Sequence, residues 1–175
     1  MAKILVVAEC KDGQIKKPVL ELFSQARRLG KATDAVLIGA GVKGQADLAA
    51  GHGAGTVYVC DQPALDKFSA QAYLPPLMEA VKASGAEQVW FPVSENSNSL
   101  APALAGRMEG GFVGGATALE WDGEEPVLTR PTMATKVLQK LCFLKPGLRV
   151  ISFRSGTFDL EPAQPKSAKI GRAHV

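Results

Sequence analysis

The sequence is poor in histidine and cysteine, on which many catalytic and metal sites depend. It has two histidines, His52 and His174, and three separated cysteines, Cys10, Cys60 and Cys142. No Cys or His pair has the spacing of metal ligands. Cys10 and Cys60 lie at the ends of apolar runs, which favours small core residues of a cytosolic protein over a disulfide or metal set. Nucleophilic triads need a histidine in the folded core, whereas His52 lies in a glycine-rich stretch and His174 in the last residues. We therefore expect no metal site and no catalytic residue.

Long apolar runs and runs of like charge are also missing. No stretch approaches the roughly 20 apolar residues of a membrane-spanning helix, and the opening MAKILVVAEC is too short for a signal peptide. The 20 basic and 17 acidic residues leave a net charge of +3, with no longer basic run than pairs such as Arg27-Arg28. A nucleic-acid groove or a membrane-binding face needs basic residues gathered on one side. We therefore expect a cytoplasmic protein that binds no nucleic acid and inserts into no membrane.

What the sequence does have is an alternation of strand-like and helix-like segments. Apolar strand patterns occur at 3–8, 34–39, 56–60 and 87–93, and helical patterns at 16–30, 43–52, 72–85 and after the polar loop 94–98. Such alternation predicts a mostly parallel sheet with helices on both faces.

After Met108 the segments are β-type without helices between them, and 122–126 reads as a hairpin turn. The glycine group at 110–115 is interpreted as a flexible helix-to-strand turn, with close approach of a ligand as the less favoured alternative. We expect one or two antiparallel strands at the sheet edge and a return of 149–153 to the main sheet. The predicted fold class is α/β: a three-layer sandwich with a mostly parallel sheet, antiparallel edge strands from the C-terminal third, and a nucleotide-binding-like architecture.

The polar loop in PVSENSNSLAP is the main site candidate. Its residues Ser94, Asn96, Ser97 and Asn98 lie between the fourth strand and the next helix, where open parallel sheets bind nucleotide phosphates. Serine and asparagine are equally the residues that cap helices. The loop contains no glycine, lysine or arginine, and Glu95 would repel an anion. Capping is favoured, with nucleotide or anion binding as the alternative.

Other possible site residues are less specific. GAGVKG at 39–44 matches the G-x-G-x-x-G pattern, but it follows the second strand and precedes a weak helix, so helix-end glycines explain it as well. Glu9 and Asp61 come just past strand ends and could face a cleft, although such residues more often form turns or caps.

Several segments together resemble a known family. They are KILVVAECKDGQIKKPVLELFSQARRLG, AVLIGAG, EQVWFPVSENSNSLAPALAGRM, LTRP and RVISFRSGTF. The spacing E-x-x-x-G-x-[IL]-K, carried by Glu9, Gly13, Ile15 and Lys16, is fairly specific, as is V-x-[TS]-[VF]-R-x-G-[TA]-F at 150–158. Over roughly residues 2–160 the chain is similar to the N-terminal domain of the electron transfer flavoprotein alpha subunit.

The resemblance implies a scaffold domain that pairs with a beta subunit and binds no cofactor itself. FAD would lie mainly in an alpha C-terminal domain absent from this sequence, and AMP on the beta subunit. The complex would carry electrons from acyl-CoA-type dehydrogenases, as in fatty acid oxidation, to a quinone oxidoreductase in a bacterial cytoplasm. Ala103 stands where family members commonly have arginine, and Arg130-Pro131 is followed by TMATK, which leaves subfamily and any bifurcating role open. The alternatives are a stand-alone adenine-nucleotide-binding module of universal-stress type or, less favoured, a small enzyme.

The expected domain organisation follows from the resemblance and from the tail. Residues 1–160 would form the alpha N-terminal domain. Residues 161–175 contain two prolines and no periodicity, which is typical of an exposed linker. The last six residues, IGRAHV, are what a common sequencing-adapter read-through would encode, so we expect this ending to be artefactual and the C-terminal FAD domain to be missing.

Overall fold

The computed structural model describes residues 2–172, and its strands and helices alternate through the first two thirds of that range. The strands are β1 (Ile4–Val7), β2 (Cys10–Lys11), β3 (Gln14–Ile15), β4 (Thr33–Gly39), β5 (Thr56–Asp61), β6 (Gln88–Pro92), β7 (Gly111–Ala116), β8 (Ala118–Asp122), β9 (Glu125–Thr132), β10 (Val137–Leu141), β11 (Arg149–Phe153) and β12 (Lys169–Arg172). The helices are α1 (Lys17–Arg28), α2 (Ala46–Gly51), α3 (Ala70–Ser84) and α4 (Glu95–Arg107).

The central sheet is parallel throughout. Within residues 2–172 it has seven strands in the order β12-β5-β4-β1-β6-β11-β7. The chain moves outward from β1 through β4 to β5, and α3 then carries it back to β6 on the other side of β1. The direction of winding therefore reverses between β1 and β6, and such a switch point leaves a crevice at the carboxyl ends of the two strands.

Alternating side chains of β1 build a core on each face of the sheet. Ile4 and Val6 belong to the core beneath α1 and α2, whereas Leu5 and Val7 belong to the core beneath α3 and α4. The helix α1 contributes the apolar positions that its sequence predicted: Val19, Leu22, Phe23 and Ala26. The predicted α/β class, with a mostly parallel sheet and helices on both faces, is confirmed.

The antiparallel strands form a small sheet of their own. Strands β8, β9 and β10 pair in the order β10-β9-β8, and Leu128 of β9 is buried in the core on the α1 side. The expected position of these strands at the edge of the main sheet was therefore wrong. The edge is taken by β7, which pairs in parallel with β11.

The interpretation of 110–115 as a flexible turn was also wrong, because most of this segment is the strand β7. Its glycines allow close packing. A Cβ on Gly110 would lie 2.4 Å from the Leu148 carbonyl oxygen, and one on Gly111 would lie 2.5 Å from the Phe143 ring. Glycine is required at these positions because a neighbouring backbone or ring occupies the space of a side chain.

The tail is ordered along the domain rather than extended away from it. Residues 156–168 cross α1 and α2, and β12 then pairs in parallel with β5. Residues 162–167 are exposed, and the contacts of this segment are made by backbone groups and charged side chains that leave no apolar periodicity. The assignment of 161–175 as the remnant of a connection to a missing domain stays a prediction. Residues 173–175 of the expected artefactual ending lie outside the described residues.

None of the helices between residues 2 and 172 is long and apolar enough to cross a membrane.

Candidate functional site

The crevice at the switch point is bordered by the residues that follow β1 and β6. Glu9 comes two positions after β1, and Ser94 two positions after β6. The first turn of α4 begins directly after Ser94, so its N–H groups and the positive end of its dipole face this crevice. The candidate loop therefore lies where a nucleotide phosphate binds in related architectures.

Two of the four candidate residues form a capping box. The Ser94 hydroxyl accepts a hydrogen bond from the Ser97 N–H at 3.0 Å, and the Ser97 hydroxyl accepts one from the Ser94 N–H at 2.8 Å. Each hydroxyl thus satisfies a backbone donor that the helix start would leave unpaired. The capping interpretation is confirmed for both serines.

The two candidate asparagines lie in different surroundings. Asn96 is partly buried and lines a small cavity in the crevice. Asn98 is exposed, and its N–H donates to the Ser94 carbonyl oxygen at 3.0 Å as part of the helix. The fold therefore does not bring the four side chains together around one ligand position.

A carboxylate of the protein already occupies the start of α4. The Ser94 hydroxyl donates to Glu9 Oε1 at 2.6 Å, and Lys16 Nζ lies 2.8 Å from Glu9 Oε2. The Glu9 side chain is only 10% exposed. A negative charge at this helix end is favoured by the dipole, as a phosphate would be, and Lys16 neutralises that charge.

A short hairpin brings Lys16 back to Glu9. Strands β2 and β3 pair Cys10 with Ile15, and the turn between them is Asp12-Gly13, with φ of 52° and 73°. Positive φ at both central residues is the pattern of the two-residue hairpin turn that Asp-Gly favours. The Lys16 N–H also donates to the Glu9 carbonyl oxygen at 3.0 Å. The sequence signal for this pair was the spacing from Glu9 to Lys16, although their contact was not foreseen.

The glycine motif at 39–44 holds a second internal carboxylate. Gly41 has a φ of 68° and Val42 is right-handed, with a φ of −89° and a ψ of −14°. Successive residues of opposite hand point their N–H groups into one concavity, a nest that binds anions. The Gly41 and Lys43 N–H groups donate to the two oxygens of Asp61 at 2.7 and 2.9 Å. Asp61 therefore caps this loop in the position where an anion would bind.

Aromatic side chains fill much of the remaining crevice. The rings of Phe68 and Tyr73 meet edge to face at 5.0 Å, and the Tyr73 hydroxyl donates to the Leu65 carbonyl oxygen at 2.8 Å. The cavity that they border with Glu9, Cys10 and Asn96 has a volume of about 40 Å³. Pockets for small ligands usually have about 300–1,000 Å³, so this cavity has room for water but not for a nucleotide. Neither ring was predicted from the sequence, because no motif marks a residue that fills a crevice.

The cysteine that lines the cavity, Cys10, is not poised for catalysis. Burial raises the pKa of the Cys10 thiol to about 11, so the thiol is protonated near neutral pH and is a poor nucleophile. His52 is buried at the end of α2, before β5 begins, and therefore lies toward the amino ends of the strands, whereas Glu9 lies at their carboxyl ends. Burial, and next the charge of Arg27, lower the pKa of His52. No group of three potential metal-ligating side chains occurs in the part of the chain that the structure describes.

The residues at the switch point thus do not fit a bound AMP or FAD. The start of α4 is occupied by Glu9, the nest after β4 by Asp61, and the space between them by Phe68 and Tyr73. The chain itself therefore fills both anion positions and the space between them.

Comparison with known proteins places this fold in a family. A sequence model of the electron transfer flavoprotein domain matches residues 4–175. An electron transfer flavoprotein subunit alpha from Syntrophomonas wolfei is 29% identical over 141 residues, which cover 81% of this chain and 44% of that protein. The protein FixB from Clostridium saccharobutylicum is 25% identical over 178 residues, covering 98% of this chain and 53% of FixB.

A third relative is named for a different role. The acryloyl-CoA reductase electron transfer subunit beta from Anaerotignum propionicum is 28% identical over 144 residues, covering 80% of this chain and 39% of that protein. The chain spans about half the length of the curated relatives it matches, with 44%, 52% and 53% covered in three of them. The resemblance to the alpha subunit is confirmed by these matches, and the chain belongs to the electron transfer flavoprotein family.

Proposed function

We propose that this chain is the N-terminal scaffold domain of an electron transfer flavoprotein alpha subunit, which pairs with a beta subunit and binds no nucleotide itself. The observation that carries the proposal is the Glu9 carboxylate at the start of α4, held by the Ser94 hydroxyl at 2.6 Å and by Lys16 Nζ at 2.8 Å. A bound phosphate would have to displace this carboxylate and would meet its charge. The fold is that of a nucleotide-binding domain, but the position of the anion is taken.

In this proposal the redox chemistry belongs to other parts of a larger assembly. FAD would be bound mainly by an alpha C-terminal domain, since the curated relatives are about twice as long as this chain. AMP would be bound by the beta subunit. The complete carrier would take electrons from acyl-CoA-type or similar dehydrogenases and pass them to a quinone oxidoreductase, in a bacterial cytoplasm. The contribution of this chain would be to hold the partner and the flavin-bearing half, with no catalytic residue of its own.

Calorimetric titration of the purified chain with AMP and with FAD tests the absence of a nucleotide site. We expect no binding tighter than about 1 mM for either ligand, which corresponds to about −4 kcal/mol, and a colourless preparation. A micromolar Kd for AMP would contradict the proposal and favour the stand-alone adenine-nucleotide-binding module. A yellow preparation with stoichiometric FAD would contradict it as well.

Co-expression tests the partner. The chain, joined to an alpha C-terminal domain from a curated relative, is expressed with the beta subunit of that relative, and the complex is isolated by size exclusion. We expect a heterodimer that carries one FAD. The relative's own complete alpha subunit is the positive control, and failure of the hybrid alone to form a complex would count against the scaffold role.

A further inference from the structure

The segment between β11 and β12, residues 156–168, forms a strap across α1 and α2. At its beginning the Gly156 N–H donates to Glu21 Oε2 at 2.8 Å. Phe158 then packs against the core, with its ring 5.0 Å from that of Phe153 and 6.4 Å from that of Trp90. This end of the strap is therefore held by buried aromatic contacts.

The middle of the strap is held by one carboxylate. Glu161 Oε2 accepts a hydrogen bond from Arg27 Nε at 3.0 Å, and Glu161 Oε1 accepts one from Arg28 Nε at 2.6 Å. The Glu161 N–H donates to the hydroxyl of the buried Ser24 at 3.0 Å. Hydrogen bonds from Arg27 and then from Arg28 lower the pKa of Glu161, so the carboxylate remains charged and paired at mildly acidic pH.

The far end is held by backbone groups. The Gln164 N–H donates to the Gly51 carbonyl oxygen at 2.8 Å, and the Ala168 N–H donates to Asp47 Oδ1 at 2.9 Å. A Cβ on Gly51 would lie 2.9 Å from the Gln164 carbonyl oxygen, so glycine is needed for the strap to lie this close to α2.

The contacts after Phe158 differ in kind from those of the core. Nearly all side chains from 159 to 167 are exposed, and Glu161 itself is 28% exposed. Exposed ion pairs contribute little to stability and are screened by salt. Proteins open first where few apolar contacts are buried and where backbone hydrogen bonds are near solvent. Both conditions hold between Phe158 and Ala168.

We propose that residues 159–168 form a salt-sensitive latch that opens as a unit while the domain stays folded, with Glu161 between Arg27 and Arg28 as its fastening point. Closed, the latch fixes where the chain leaves the domain, beside α2 and β5. The strand β12 follows the latch and pairs with β5, so a following segment gains reach only when β12 is released as well. Residues 159–172 can then extend by at most about 46–50 Å. The latch does not depend on the proposed function. Only its use, to set the reach of a flavin-bearing half, rests on that function.

Hydrogen exchange followed by mass spectrometry on the purified chain tests the latch. The substitution Glu161→Gln keeps the shape of the side chain and removes its charge. We expect the amides of Gln164 and Ala168 to exchange about 2- to 30-fold faster in this variant, from the loss of two partly exposed ion pairs. The amides of β1 and β6 should exchange at the wild-type rate. Asp159→Asn is the matched control, because Asp159 is 91% exposed and 3.5 Å from Arg28, and it should change little.

Salt provides a second measurement that needs no variant. Raising sodium chloride from about 0.1 M to about 1 M shortens the Debye length from about 10 Å to about 3 Å. The strap amides of the wild type should then exchange faster, whereas those of Glu161→Gln should respond much less. The proposal is overturned if Gln164 and Ala168 exchange in the same event as β1 and β6, or if neither salt nor Glu161→Gln alters their exchange. Either result would leave the proposed scaffold function untouched, since that function is tested by nucleotide titration and complex formation.

Discussion

Replacing Glu9 by alanine tests directly whether an internal carboxylate holds the switch point together. The side chain accepts a 2.6 Å hydrogen bond from the Ser94 hydroxyl and pairs with Lys16 at 2.8 Å. A hydrogen bond to a charged group contributes about 1.5–3 kcal/mol, and a partly exposed ion pair about 0.2–1 kcal/mol. Glu9→Ala should therefore lower the free energy of unfolding by about 2–4 kcal/mol. For a domain of this size that corresponds to a fall in Tm of about 4–16 °C.

The same variant should acquire a response to phosphate. Without Glu9, the ammonium group of Lys16 lies beside the start of α4 with no carboxylate to neutralise it, and a helix start with a nearby cation attracts anions. Thermal unfolding followed by circular dichroism is measured in increasing inorganic phosphate, against sodium chloride at equal ionic strength. We expect phosphate to raise the Tm of Glu9→Ala and to leave the wild type at its chloride value.

Glu95→Ala is the matched control for the helix end. Glu95 is an exposed carboxylate in the first turn of the same helix, so its removal should cost only the dipole contribution of about 0.3–1 kcal/mol. The reasoning is refuted if Glu9→Ala is no more destabilising than Glu95→Ala. It is refuted equally if phosphate stabilises the wild type as much as the variant, since the anion position would then be open.

Two further predictions concern other parts of the fold. Because the pKa of His52 is lowered below 6.5 by burial and by Arg27, the unfolded chain binds the proton more readily. The His52 contribution to stability should be fully present above pH 6.5 and be lost as the pH falls through the folded pKa. In urea denaturation, the free energy of unfolding should fall less between pH 8 and about pH 5 for His52→Gln than for the wild type. His174→Gln is the control, and an equal fall for His52→Gln and the wild type would contradict the assignment. Gly110→Ala should destabilise by about 1–3 kcal/mol, because its Cβ would lie 2.4 Å from the Leu148 carbonyl oxygen. Gly106→Ala on α4, where nothing lies within 4 Å of the added Cβ, should instead stabilise the fold by about 0.5–1 kcal/mol. If both substitutions changed the free energy of unfolding in the same direction in urea denaturation, close packing would not explain Gly110.

The features that the sequence predicted are those encoded locally. The strand β1 is a continuous apolar run and α1 has apolar residues at helical spacing, so each could be identified without knowledge of its neighbours. Ser94 and Ser97 were recognised as capping residues because a capping box lies within four consecutive positions. The order of the segments was enough to predict a parallel sheet.

The features that the sequence did not predict depend on partners far along the chain. The segment 110–115, most of which is the strand β7, contains four glycines and was taken for a turn, because the groups that require glycine there, such as Leu148 and Phe143, are more than 30 positions away. The contacts of the strap were not predicted, since a fork between Glu161 and two arginines of α1 leaves no periodic pattern. Asp61 was expected to be a turn or cap residue, but the loop that it caps was not predicted, because that loop lies 18 to 20 residues earlier in the chain.

The contact between Lys16 and Glu9 at the switch point depends on the length of the hairpin that follows β1. Its two-residue turn at Asp12-Gly13 sets the register in which Ile15 faces Cys10, and α1 begins at Lys17, directly after the cation that meets Glu9. An insertion of one residue in that turn would send alternate side chains to the opposite face and would carry Lys16 away from its partner without altering either residue. A protein engineer who wished to install an anion loop here would therefore have to preserve this spacing or supply the positive charge from another strand.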